Sequence, residues 1–147
     1  MTKAVISVLN SLLMEEVTAA EAYKQVVHRL PNLDIKAELE ELHIAHSKRA
    51  QKLKKRLREL SGTPEKLSRR VPMDMVFSGA AEDLSTRILM FFESLENSVL
   101  SLYESSLNEL DNLSLSMVQS DLIPDQDLTH NVVYTLKSAM VPLAKSA

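Results

Sequence analysis

The chain has 147 residues, enough for one domain with a single core. It contains no cysteine, which excludes disulfides, thiolate metal sites and cysteine nucleophiles together. A net charge of −3 is too near neutral to point to nucleic acid or an anionic membrane as a partner.

Two glycines and five prolines leave few breaks, while Leu, Ser, Glu, Lys and Ala dominate. That profile predicts an all-α protein with long helices. No apolar run approaches the ~18 residues needed to cross a bilayer, so a cytoplasmic protein is expected. Met1 to Met14 is apolar enough to resemble a signal peptide faintly. Ser7, Asn10 and Ser11 interrupt it, however, and Glu15 and Glu16 follow directly, so it reads better as the first turns of an amphipathic helix.

The first helix is predicted from about Thr2 to Arg29. Val5, Leu9, Leu12, Glu16, Ala19, Tyr23, Val26 and Leu30 recur at steps of three and four and share one face. Pro31-Asn32 ends it. The second helix runs from near Leu33 to about Leu60, with Ile35, Leu39, Leu42, His46, Arg49, Leu53, Leu57 and Leu60 as its stripe. Ser61-Gly62-Thr63-Pro64 stops it, and Gly62 is the expected left-handed C-cap.

Glu65 to Gly79 reads as a crossover, in which Met75, Val76 and Phe77 form one helical turn over the bundle. The third helix is predicted over Ala80 to Leu110, with Leu89, Phe92, Glu96, Val99, Tyr103, Leu107 and Leu110 inward. Asp111-Asn112 makes a tight turn. The fourth helix occupies about Leu115 to Met140, with Ile123, Asp127, His130, Tyr134 and, just beyond, Val141 on one stripe. Pro124 removes a backbone bond there and collides with the Ser120 carbonyl, so a kink or a restart is expected at that point. Short connections make the first and last helix pairs antiparallel hairpins; the long middle connection crosses the bundle. All 147 residues are expected to form one four-helix-bundle domain.

One pattern occurs twice in this frame. Glu16 is followed seven residues later by Tyr23, and Glu96 by Tyr103. About one helix length after each comes a polar pair at i, i+3: His46 and Arg49, then Asp127 and His130. All sit in phase with the apolar stripes at mid-helix. Buried ionisable groups are costly unless paired or coordinated, so these should converge on one polar chamber. Carboxylates from single helices combined with carboxylate–His pairs are how such bundles hold two iron or manganese ions.

These residues carry a resemblance. Glu16-Val17-Thr18-Ala19-Ala20-Glu21-Ala22-Tyr23 resembles the first-helix Glu-x6-Tyr motif of bacterioferritins and related ferritin-like proteins. Asp127-Leu128-Thr129-His130 is similar to their fourth-helix Glu-x-x-His, with Asp for Glu. Glu96 stands where the third-helix Glu is expected, and His46-Ser47-Lys48-Arg49-Ala50 where Glu-x-x-His-Ala is expected. The resemblance extends over nearly the whole chain and is closest to small bacterial ferritin-like bundles of unknown function.

It implies a metal set of Glu16, His46, Glu96, Asp127 and His130, with Tyr23, Arg49 and Tyr103 around it, and iron or manganese as the ion. The departures lie on the second helix. Arg49 cannot ligate a cation and brings fixed positive charge inward, where it would neutralise Glu16 or Asp127. Two readings stay open: a reduced metal chamber, or an internal ion-pair cluster in a non-metal interaction or stress-response module whose helix faces pack into a homodimer or onto a partner; the second helix argues against a third, an active oxidase or iron-handling enzyme.

Three further features read more simply. Glu40 and His43 also have Glu-x-x-His spacing but lie off the stripe. The basic run from Lys48 to Arg58 reads as a solvated face of an acidic-start, basic-end helix. The serines from Ser94 to Ser120 have no partnered base.

Overall fold

The computed structural model describes residues 2–64, 71–78 and 84–146. Among them all regular structure is helical, with no strand. Helix α1 spans Thr2–Arg29, α2 Lys36–Glu59, the single turn α3 Asp74–Phe77, and α4 Leu84–Ser106. A 3₁₀ turn over Leu107–Glu109 leads to α5, Asn112–Met117. A wide π turn over Val118–Leu122 joins α5 to α6, Ile123–Ser146. The expected crossover and third-helix start fall partly on 65–70 and 79–83, and the Met75 and Val141 side chains likewise lie outside the described residues.

Side-chain partners fix the direction of every helix pair. His46 meets Glu16 and His43 meets Ala20, so α1 and α2 are antiparallel. Tyr23 stacks on Phe92 while Tyr103 reaches Glu16, so α4 runs against α1. Arg49 meets Asp125 and Lys52 meets Asp121, so α6 runs against α2. Consequently α2 ends beside the start of α1, whereas α4 begins beside its end. The connection between them must travel the length of the bundle. By Met73 it has arrived, because Arg29 at the end of α1 pairs with Asp74 and covers the Phe77 ring at 3.9 Å.

Two apolar layers fill the interior. One, built on Leu9, Leu12, Leu53, Leu57, Val99 and Leu122, lies towards the start of α1. The other, built on Val26, Leu39, Leu42, Ile88, Leu89, Phe92 and Val133, lies towards its end. The side chains of Glu16, His46, Arg49 and Glu96 are fully buried between them.

Three local findings refine the sequence expectation. First, α2 ends in a Schellman arrangement. The Gly62 N–H donates to the Leu57 carbonyl at 2.8 Å and the Ser61 N–H to Arg58 at 3.0 Å. The left-handed residue is Ser61, with φ of 58°, not Gly62. Gly62 instead sits where a Cβ would lie 3.2 Å from both Ile6 of α1 and the Leu57 carbonyl oxygen, a tight fit.

Second, the chain passes Pro124 by way of a wide turn: α6 begins at Ile123, with Pro124 in its first turn. The wide turn ahead of it lets the Ile123 N–H donate to Val118, one residue further back than in an α-helix. The turn takes up the hydrogen-bonding disruption that a proline imposes. Third, Arg56 belongs to the basic run but is buried. It donates to Ser114 at 2.9 Å and to Asp111 at 2.7 Å, tying α2 to the start of α5.

A buried ion-pair centre at mid-bundle

The chamber begins with Glu16, at mid-height on α1 and fully buried. One carboxylate oxygen accepts from His46 Nδ1 at 2.7 Å. The other accepts from Arg49 Nε at 2.5 Å and from the Tyr103 hydroxyl at 2.9 Å. On the far side of the imidazole, His46 Nε2 meets Glu96 at 2.6 Å. Each ring nitrogen therefore faces a carboxylate. Both can donate at once only in the imidazolium form.

The electrostatics agree. Burial pulls His46 down, but Glu16 and Glu96 outweigh it and raise the imidazole to about 9. Burial pushes Glu16 up, yet the charge and hydrogen bond of His46, then those of Arg49, hold it below the usual carboxylate range. Arg49 Nη2 lies 2.9 Å from His46 Nδ1, but both are donors, so this is a contact and not a hydrogen bond. Glu16, shared by the two cations, offsets their repulsion. Tyr23 stacks on the imidazole with ring centroids 5.4 Å apart, placing an aromatic face beside the charge.

Arg49 reaches further than any other member. Beyond Glu16 it donates to Asp125 at 2.5 Å and Gln126 at 2.6 Å, with Thr129 at 3.4 Å. Gln126 in turn donates to the Glu96 carbonyl at 3.0 Å. One guanidinium thus links α1, α2 and α6, and the carboxamide continues to α4. Asp125 is the outer end of the chain of contacts, its side chain 40% exposed.

The two tyrosines are not equivalent. Burial, then the charge of Glu16, raises the Tyr103 phenol well above its ordinary value, keeping it a neutral donor. Burial and the neighbouring Glu96 do the same to Tyr23. Tyr23 lies within the field of Glu96, but its hydroxyl completes no hydrogen bond.

Of the residues singled out in the sequence, Glu16, His46, Arg49, Glu96, Tyr23 and Tyr103 converge as expected. Asp127 and His130 do not. Asp127 is exposed, and His130 bonds Asn97 at 2.6 Å on the outer side of the α4/α6 seam. The inward stripe through the π turn and α6 is Val118, Leu122, Gln126, Thr129 and Val133, one position earlier than expected. Two α-helical turns take about 7.2 residues, whereas Val118 to Gln126 takes eight. The π turn absorbs the extra residue, turning Gln126 inward and leaving Asp125 at the α2/α6 seam. The missed members, Gln126 and Thr129, had a signal in buried Leu122 and Val133, each four residues from one of them.

Glu40 is exposed beside Lys36, and His43 holds the Ala20 carbonyl at 2.8 Å, so that pair points away from the chamber. Among the described residues, no group of three His, Asp or Glu side chains is spaced to hold a metal ion. The chemistry of the donors explains why. The ligand-capable atoms of Glu16, His46 and Glu96 already face one another at hydrogen-bonding distance, on opposite sides of one ring. A cation entering at Glu16 would have to displace the Arg49 guanidinium and strip a proton from His46. As arranged, the residues do not fit iron or manganese.

Comparison with known families, with curated proteins and with solved structures gives no match to this chain.

Proposed function

We propose that this chain is a ferritin-like bundle in which side-chain cations stand in for metal at the centre, and that it acts as a non-enzymatic interaction module. The observation that carries the reading is His46, clamped through both nitrogens between Glu16 and Glu96 while Arg49 holds the remaining oxygen of Glu16. Two carboxylates face one imidazolium and one guanidinium, so the buried set is formally neutral without an ion. The helix directions and the long connection between α2 and α4 support the ferritin-like part of the proposal. A charge-balanced centre whose carboxylates already face side-chain cations leaves little for a substrate to act on, which moves function to the outer faces of the helices.

The test is metal uptake. Protein purified without chelator, then titrated anaerobically with Fe²⁺ or with Mn²⁺, should take up no stoichiometric metal and show no shift in Tm. Binding at a hundred times Kd would stabilise by about 2.7 kcal/mol, a readily measured shift. The paired substitution His46→Glu with Arg49→His restores a Glu-x-x-His on α2 and should gain Mn²⁺ binding. Stoichiometric metal in the wild type, lost in Glu16→Gln, would overturn the proposal.

A further inference from the structure

The face formed by α2 and α6 is the part of the surface that the centre leaves unexplained. A groove of about 320 Å³ runs along the seam, lined by Glu41, Ile44, Ala45, Lys48, Lys52 and Asp125, with Arg49 below. Ile44 is 49% exposed, Leu128 64% and Val132 39%.

The Arg49–Asp125 and Lys52–Asp121 pairs set the register of the two antiparallel helices. That register puts Ile44 level with His130, between Leu128 and Val132. One turn or two further along, Lys48 and Lys52 on α2 stand level with Asp121 and Asp125 on α6. The face therefore has an apolar zone across both helices at one height. At the next height it has a basic edge on α2 and an acidic edge on α6.

Such a face is complementary to itself. Rotation by 180° about an axis parallel to the helices lays α2 of one copy over α6 of the other without changing height. Ile44 then meets Leu128 and Val132, and the basic edge meets the acidic edge, in both halves at once. An isologous two-fold contact requires that reciprocity. A partner of uniform charge would repel one of the two edges.

We infer that the α2/α6 face is the contact between two copies of this chain, with Ile44, Leu128 and Val132 at its middle. This rests on the interaction-module reading and gives that reading its surface and its partner. The contact buries the seam through which Arg49 reaches Asp125.

Light scattering coupled to size exclusion should give twice the chain mass for the wild type. Leu128→Lys with Val132→Lys alters exposed positions only. It should keep the circular dichroism of the wild type while the mass falls to that of a monomer. Lys48→Glu with Lys52→Glu, and separately Asp121→Lys, should each shift towards monomer. Mixing the two should restore a dimer, because reversed α2 then faces reversed α6. A monomeric wild type, a dimer unmoved by the Leu128 and Val132 changes, or a mixture that stays monomeric would overturn the inference. Metal titration reads separately: a metal-free monomer removes this contact alone, and a metal-loaded dimer removes the metal-free centre alone.

Discussion

His46 offers the sharpest prediction, because its charge is the keystone of the centre. In the unfolded chain the imidazole titrates near 6.5; in the folded protein Glu16 and Glu96 raise it to about 9. A folded value above the unfolded one means that the native state holds its proton more tightly. The resulting stability is complete below pH ~6.5 and is lost as pH rises towards and through 9. A difference of two to three units at ~1.4 kcal/mol each corresponds to about 3 kcal/mol. That is a large fraction of the ~5–15 kcal/mol of a typical domain. Urea unfolding between pH 6 and 10 should show this fall as a decreasing midpoint at constant m-value.

Glu16 works from the other side, because its lowered value makes its contribution complete above the unfolded carboxylate range and lost as pH falls below it. Stability should therefore peak in mildly acidic solution. Nitrogen-15 shifts of the four histidine rings read the same event directly. His46 should stay doubly protonated past pH 8. An imidazole at position 46 that loses its proton at or below 6.5 would refute the ion-pair centre.

Other changes separate the members of the network. Tyr103→Phe removes a donor to an ionised carboxylate and should cost about 1.5–3 kcal/mol in denaturant unfolding. Tyr23→Phe, which removes a hydroxyl that completes no bond, should be close to neutral; equal costs would show a bond to Glu96 forming in solution. Arg49→Met removes one of the two cations that balance Glu16 and Glu96 and should cost about 3–5 kcal/mol, the penalty of breaking a buried ion pair, again read by unfolding. At the end of α2, Ser61→Gly should stabilise by about 0.5–1 kcal/mol by relieving the left-handed strain of serine. Gly62→Ala should lower Tm because its Cβ presses on Ile6, and a neutral result would mean that α1 can yield there.

How much of this was legible in the sequence varied with the backbone. Thr2 to Arg29 is regular, and there the heptad-like spacing of Val5, Leu9, Leu12 and Val26 located both the helix ends and the inward position of Glu16. The stripe of α2 likewise placed His46 and Arg49 inside, because nothing between Leu39 and Leu57 disturbs the 3.6-residue period. Beyond the π turn the period holds over Leu122, Gln126, Thr129 and Val133, but its phase lies one position before the stripe expected from Ile123 onward. A π turn leaves no signature in side-chain pattern beyond the proline that follows it, so that phase is not legible. The attraction of Asp127 and His130 as a ligand pair reinforced the error. Gly62 was misread for a related reason: Ser61 and Gly62 both suit a helix end, and only the fold shows that Ser61 takes the left-handed turn. Arg56 shared a run with solvated lysines, and its burial depended on Ser114 and Asp111 from a distant part of the chain.

The wide turn before Pro124 also fixes what α6 can become. A proline ring has no N–H to give and no room for the carbonyl behind it, so the loop of extra backbone cannot be drawn tight into ordinary helix. The rotation of everything downstream is thereby pinned. Gln126 stays turned to the centre and the Asp127 side to water, whatever happens to the charges between. The ring favours the wide turn, and the buried Val118, Leu122 and Val133 hold the phase that follows it. The network could therefore change its members over time without the bundle losing its register.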